Sequence, residues 1–554
     1  MKIAPTPYTG TLIVVGSGIS GIMTAWQAQR AGYSIEIFSK SPDPRLERRL
    51  EVEKESSTFD SKNDQRYVTI FEGHPYLELD GYVNKVYPGI ANDFRTGVLR
   101  GGVLVSSLDE FSKQTQEWLH ERYRLNERLL KKNKEDVDRV ARLFGSYSRE
   151  NRAAMEEWFR IMIELVQRSP AIVPDLSLHT DGIVRLYDNA EVFEESKASH
   201  KKEEVFIKEY TPQELVERYP AYREGVARGF IKGGAIEVYG LTFAVGTFCR
   251  AILDELEQNR AKVHFSVEAK NVVVENGKVK GLMLFEDEQL HTADNYAFHT
   301  GAFVGPELFE SIPQAHNKLA AVEGYWITVE NADALVQGMG GKPNKVHGKK
   351  SLAEMLGMVN ADSAAEYKQR FENLGVNIDN LASIAPIVDF NNMPINKDGK
   401  WVLGVGSGYV FKGLAERGKS GKVVFRDHSQ SEPFVLAVME LWLEALHGKE
   451  LLGEMVIHPV GCKRSYTPDD KELDVNLPTT SGGICMIHDG GNTGSTTKSP
   501  FIAKYIVEKM KKASSEVMDG KAMQETFPIL RESLGKTPEE IPASRWKELS
   551  SKFG

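Results

Sequence analysis

A run of aliphatic, mostly β-branched residues, Leu12 to Val15, leads directly into Gly16, Gly18 and Gly21 at G-x-G-x-x-G spacing. The run reads as a short buried parallel strand. A helical pattern follows from Ile19 to Ala31, closed by Gly32 as a C-terminal stop, and a second strand runs from Ser34 to Phe38. Each glycine has a separate task. Gly16 makes the tight turn, Gly18 lets backbone approach a pyrophosphate, and Gly21 lets helix pack on strand. Ile19 and Ser20 then open a helix whose positive end receives the phosphate charge. A glycine-rich turn without a ligand is the alternative, but the strand–turn–helix–strand context is the one that gives the motif its meaning. The second strand ends in Ser39 and Lys40, where a carboxylate usually meets the ribose, and Glu36 lies inside the strand. Ser39 can still hydrogen-bond a ribose. Lys40 equally suits a 2′-phosphate, so NADP remains open at this point.

With 554 residues the chain is long enough for two or more domains. A net charge of −9 argues against nucleic acid as a main partner, because phosphate backbones want a basic face. Three cysteines make no disulfide framework. There is no signal-type apolar segment near residue 1 and no run of membrane-spanning length. A cytoplasmic enzyme with no membrane span is expected.

Residues 41–80 form a long charged, turn-rich insertion in which His74 reads as surface packing. Thr96 to Ser107 is a glycine-rich turn leading into helix, and helical pattern then extends from Leu108 to Gln167 with a break at Gly145. Strands follow from 178, with a short helix headed by a Thr211/Glu214 capping box. Leu241–Asn259 reads as a helix. Asn276-Gly277 reads as a hairpin turn, Thr292–Phe303 as a strand ending in a glycine turn, and Ala320–Glu330 as an amphipathic strand. Gly404 to Gly408, GVGSG, reads as a hairpin or sheet turn, since no helical pattern follows it. Glu432–His447 is an amphipathic helix, and residues from 513 read as a helical extension.

The order of these pieces, closing with HTGAF, VGCKRSYTPDD and GICMIHDGGNTGSTTKSP, resembles the D-amino-acid oxidase/dehydrogenase superfamily of flavoproteins. The resemblance spans most of the chain, with insertions near 41–80 and 340–380. It implies an α/β architecture: a Rossmann-like FAD-binding domain of the glutathione-reductase type with a discontinuous mixed-sheet α+β substrate domain. The division implied is 1–169, 235–318 and 455–512 for the FAD-binding domain, 170–234 and 319–454 for the substrate domain, and 513–554 as an extension. FAD replaces NADP as the expected cofactor. By the same resemblance Val267 meets adenine through its backbone, Gly301 closes near the pyrophosphate, and Arg100, Gly101 and Gly102 lie beside the flavin.

The stretch from Ile487 to Pro500 also makes physical sense alone. It is a glycine-rich turn, Gly490, Gly491, Asn492, Thr493, Gly494, Ser495 and Thr496, running into a helix expected to begin near Ser499. Backbone N–H groups and a helix dipole there suit the flavin edge that becomes negative on reduction. Arg464, three residues before Thr467-Pro468-Asp469, occupies the place where the family clamps a substrate carboxylate, a task for which a guanidinium's paired donors are suited. Cys462 matches the position of a flavin-linked cysteine in some members; a buried thiol is the other reading.

The expected activity is oxidation of the C–N bond of an amine or amino acid by hydride transfer to flavin N5, giving an imine that hydrolyses. The expected partners are that small molecule and an electron acceptor, O2 or a quinone or other carrier. Tyr325 and Trp326 are candidate substrate-wall residues. Two alternatives stay open: a 2-hydroxyacid oxidoreductase of the same fold with His488 as base, and a flavin-binding protein with a structural or RNA-modification-complex role. No metal site is expected.

Overall fold

The computed structural model describes residues 10–45, 65–68, 98–99, 103–104 and 111–515, with breaks at 131–133, 203–204, 348–349, 377, 384–388, 398–399, 426–430, 453–459, 469–471 and 490–494. Two sheets organise it. The first has six strands in the order 262–265, 34–39, 11–15, 295–298, 484–489, 473–478. All neighbours are parallel except the last pair. Thr11–Val15 sits centrally, buried on both faces, which is why its sequence reads as an unbroken apolar run.

Helix Ile19–Arg30 packs on this sheet beside helices Val245–Gln258, Lys134–Arg168 and Ser495–Ser515. Their shared core includes the buried indoles of Trp26 and Trp158, each contributing roughly 2–3 kcal/mol by removal from water. The opposite face is covered by the hairpin Ala269–Glu275/Lys278–Leu284, which turns at Asn276-Gly277 as expected.

The second sheet has ten strands. Its main path runs 460–466, 320–329, 400–414, 389–397, 344–347, 183–187, 234–238, 206–210, and the short pair 98–99/103–104 joins it at 400–414. One face carries Ile327, Val329, Leu403, Val405 and Val184 against helix Ser431–His447. The other carries Val322, Phe411 and Tyr466 against helix Lys113–Leu130. The Thr211/Glu214 capping box forms with both of its bonds. Among the described residues no helix is long and apolar enough to cross a membrane.

Four local expectations are corrected. Lys134–Arg168 is one helix that runs through Gly145 without a break, since a single interior glycine costs a long helix only about 1 kcal/mol. Leu241–Ala244 is a strand, paired with 65–68, and the helix starts only at Val245. Gly404–Gly408 is neither turn nor hairpin; it lies inside the strand Lys400–Leu414, where Gly404–Gly406 pair with strands on both sides, so tertiary pairing overrides the local glycine preference. The helix expected near Ser499 begins at Ser495, one turn earlier, and holds Pro500 within its first two turns. His74, most of the 41–80 insertion and residues 516–554 lie outside the described residues.

Candidate active site

The turn after Thr11–Val15 is built for close approach. Gly16 has φ +107°, and a Cβ on it would stand 2.1 Å from the His299 carbonyl oxygen. A Cβ on Gly21 would stand 2.0 Å from the carbonyl oxygen of Gly16. Gly18 caps the helix with extended backbone; no side chain bonds back to the helix start, and its first turn holds no acid. A helix N-terminus with no carboxylate of its own is suited to an anionic ligand. These features fit the pyrophosphate of a dinucleotide. Ile19 is buried and Ser20 half-buried in that first turn.

At the ends of the two strands, Ser39 Oγ lies 2.6 Å from Ser17 Oγ, both buried. Lys40 pairs with Glu268 at 3.3 Å. Burial pushes the Lys40 amine down, with Glu268 opposing it. Glu268 and Glu307 also engage Arg417, so Lys40 is one member of an ionic cluster rather than a cation reserved for a 2′-phosphate. Glu36, within its strand, meets His264 at 2.9 Å. The Val267 N–H donates to the Ser39 carbonyl at 2.9 Å.

His299 ties three elements together. Its Nδ1 donates to the His488 carbonyl at 3.0 Å, so Nε2 accepts from the Thr24 hydroxyl at 3.0 Å. Burial, helped by the neighbouring His488, depresses its imidazole to about 3. His488 itself is buried on the face of the strand that meets helix Ser495–Ser515. Its ring nitrogens lie 3.7 Å from Glu472 and 3.6 Å from Asp474, and Glu472 pairs with Lys498 at 2.9 Å. The Thr496 carbonyl accepts from Trp158 Nε1 at 3.0 Å, which fixes the first turn of that helix.

The next residue, Asp489, points the other way, and sequence reasoning missed it. Its Oδ1 accepts from the Ser465 hydroxyl at 2.8 Å, and its Oδ2 accepts from the Gly301 N–H at 2.6 Å and from Thr300 Oγ1 at 3.3 Å. One carboxylate thereby joins the first sheet, the HTG turn and the edge strand Val460–Tyr466 of the second sheet.

Arg464 lies on that edge strand, opposite Val322, and only 9% of it is exposed. Its guanidinium lies across Gly324. A Cβ there would be 2.5, 2.7 and 2.8 Å from Nη1, Nη2 and Cζ. Gly324 sits where strands 320–329 and 400–414 shift register, between the pairs Glu323–Val410 and Tyr325–Ser407. The shift is a β-bulge that gives strand 400–414 one extra residue here. Adjacent residues Tyr409 and Val410 pair with 103–104, so the strand pair 98–99/103–104 joins the sheet beside the bulge. On the opposite face Glu323 meets Lys463 at 2.8 Å and Lys412 at 3.0 Å. Burial pushes the Glu323 carboxyl up, but the two lysines outweigh it and hold it below the usual range.

The structure therefore gathers Gly16, Gly18, Gly21, Ser39 and Gly301 at the ends of the first sheet's strands, and places Arg464 on the strand that Asp489 ties to them. Arg100, Gly101, Gly102, Gly490, Gly491, Asn492, Thr493 and Gly494 lie outside the described residues, as do the side chains of Tyr325, Trp326, Cys462 and Ser495. The backbone pairs Cys462 with Gly324 and Trp326 with Gly406.

Residues 91–351 match the DAO family, FAD dependent oxidoreductase, and residues 14–61 match an NAD(P)-binding Rossmann-like domain. The chain has no significant match among curated proteins. Among solved structures it is similar in fold to glycine oxidase from Geobacillus kaustophilus, with 12% identity over 91% of this chain and 95% of that one and a TM-score of 0.53. Glycine oxidase from Bacillus cereus ATCC 14579 gives 12% identity, the same coverages and a TM-score of 0.50. Fructosyl amine:oxygen oxidoreductase (Amadoriase I) from Aspergillus fumigatus gives 11% identity over 94% and 90%, with a TM-score of 0.50.

Proposed function

We propose that this chain, which carries a FAD-dependent oxidoreductase domain of the DAO family, oxidises the C–N bond of an amine or amino acid whose carboxylate Arg464 holds. The observation that carries the reading is a buried guanidinium laid over Gly324, on a strand whose next residue is tied to Asp489 and through it to Gly301. Glycine and fructosyl amine, named for the structural neighbours, are both amines.

FAD supplies the hydride acceptor. The chain's own residues bind and orient. The turn Gly16–Gly21 and the helix start behind it hold the pyrophosphate, and Ser39 takes the ribose. Arg464 grips the carboxylate by two parallel charge-assisted bonds and so fixes the α-carbon. The substrate lies between the cofactor and the sheet built from 170–234 and 319–454. A substrate amine that arrives neutral leaves no proton for a side chain to remove, and the imine product hydrolyses in water.

The test is anaerobic bleaching of the flavin band with a panel of amines and amino acids, followed by Arg464→Met on the best of them. Loss of the charge-assisted pair should lower kcat/KM by on the order of 10²-fold. Arg464→Lys should recover part, since the fork is lost but the charge is kept. Wild-type kcat/KM in Arg464→Met would overturn the carboxylate assignment.

A further inference from the structure

We infer that Asp489 is a positioning residue that couples cofactor binding to the substrate-anchor strand. The site of the proposed reaction is assembled from two separate sheets. Arg464 belongs to the ten-stranded sheet, whereas Asp489 ends a strand of the six-stranded one and Gly301 follows its strand 295–298. A guanidinium fixes a substrate carbon only if its strand is held at a constant distance from the cofactor. Asp489 provides such a tie. Its two oxygens divide between the sheets: Oδ1 takes the Ser465 hydroxyl at 2.8 Å, and Oδ2 takes the Gly301 N–H at 2.6 Å.

The partners are well placed for this. Ser465 is buried and adjacent to Arg464, so its bond fixes the backbone from which the guanidinium springs. Alternation along the strand sends Ser465 to one face and Arg464 to the other. The tie therefore grips the strand on the face opposite the guanidinium. Gly301 has φ +60° and opens a short helix, and Asp489 ends the strand Ile484–Asp489. A cofactor that orders the Gly301 turn orients the Asp489 carboxylate, and through Ser465 it orders the Val460–Tyr466 strand. The inference rests on the reading of Gly301 as cofactor-facing; it does not depend on the substrate being a carboxylate.

Hydrogen–deuterium exchange on the full chain, with FAD bound and with FAD removed, reads the coupling directly. In wild type, FAD should slow exchange of the peptide covering 460–466 by on the order of tenfold, the effect of one charge-assisted bond in a buried setting. Ser465→Ala cuts only the outer half of the tie. FAD should still protect the segment around Gly301, while protection of 460–466 should fall below about twofold. Asp489→Asn keeps one acceptor oxygen and should retain Gly301 protection better than Asp489→Ala, whose holoenzyme should release FAD on dilution at concentrations roughly tenfold higher than wild type. If Asp489→Ala does not fold, the Ser465→Ala and Asp489→Asn comparison decides alone. Equal exchange of 460–466 with and without FAD in wild type would overturn the inference. So would FAD-dependent protection of 460–466 that survives Ser465→Ala. Titration of the holoenzyme with acetate tests the Arg464 reading separately: no response of the flavin spectrum to acetate, beside intact coupling in the exchange data, would reject the carboxylate anchor and leave the tie standing.

Discussion

Adding one methyl group at Gly324 tests how the anchor is seated. The Cβ of Gly324→Ala would stand 2.5 Å from Arg464 Nη1 and 2.7 Å from Nη2. Ordinary contact between such atoms is about 3.5 Å, so the guanidinium must rise by about 1 Å. What moves is the far end of a flexible side chain, so the backbone has no reason to distort. Alanine also suits a strand better than glycine, by roughly 0.5–1 kcal/mol. The Tm should therefore stay level or rise slightly, and the flavin spectrum should not change. Catalysis should suffer, because displacing a substrate by about 1 Å from its reactive alignment costs up to on the order of 10²-fold. Steady-state kinetics on the best substrate should show kcat/KM down by about 10- to 100-fold, with Tm and FAD content as internal controls. If Gly324→Ala keeps kcat/KM within about twofold of wild type while Arg464→Met is defective, the seat over Gly324 is not the working position of the guanidinium. If Tm and FAD content fall instead, Gly324 is a folding requirement and the reasoning fails.

Two other predictions follow from the site and the core. Gly18→Val should abolish the flavin absorbance of purified protein near roughly 370 and 450 nm, since a side chain there blocks the approach of the pyrophosphate; a variant that stays yellow would reject that placement. Burial holds His299 and His200 at about 3 and His447 at about 4. The unfolded chain binds protons at these groups below about 6.5 and the native state does not, so their stabilising contribution is complete above that pH and is lost as pH falls toward 4. Tm should drop between pH 7 and 5, more shallowly in His447→Gln, and an unchanged slope in that variant would remove His447 from the account.

Where local chemistry decides, the sequence was readable. Gly16, Gly18 and Gly21 announce themselves because backbone clearance is a requirement no other residue meets. Thr211 and Glu214 form their capping box from neighbours three positions apart. Partners distant in the chain were hidden. Gly404–Gly408 reads as a turn by composition and lies within a strand because neighbours on both sides pair with Gly404–Gly406. The choice between His488 and Asp489 was invisible for a different reason. Ile484–Asp489 is buried on both faces, so apolar residues occupy both parities and the alternation that would reveal which side chain faces which sheet is absent. Arg464 could be placed by motif, but its seat on Gly324 depends on a strand pairing that nothing near either residue encodes.

The six-stranded sheet is drawn from three stretches of chain, 11–39, 262–298 and 473–489, and this order has a consequence for synthesis. Strands 11–15 and 34–39 can pair as soon as they leave the ribosome. The central strand's other neighbour, 295–298, emerges 256 residues after residue 39 (295 − 39), and the strand beside that, 484–489, is complete only 450 residues after it (489 − 39). At about 5–20 residues per second, the nascent chain carries an unfinished apolar edge for roughly 20–90 s. During that interval Leu12, Val14 and Ile37 lack the helix Ser495–Ser515 that shares their core in the finished protein. Yield in a heterologous host should respond to translation rate and to chaperones that hold the amino-terminal segment more strongly than the stability of the completed enzyme would indicate.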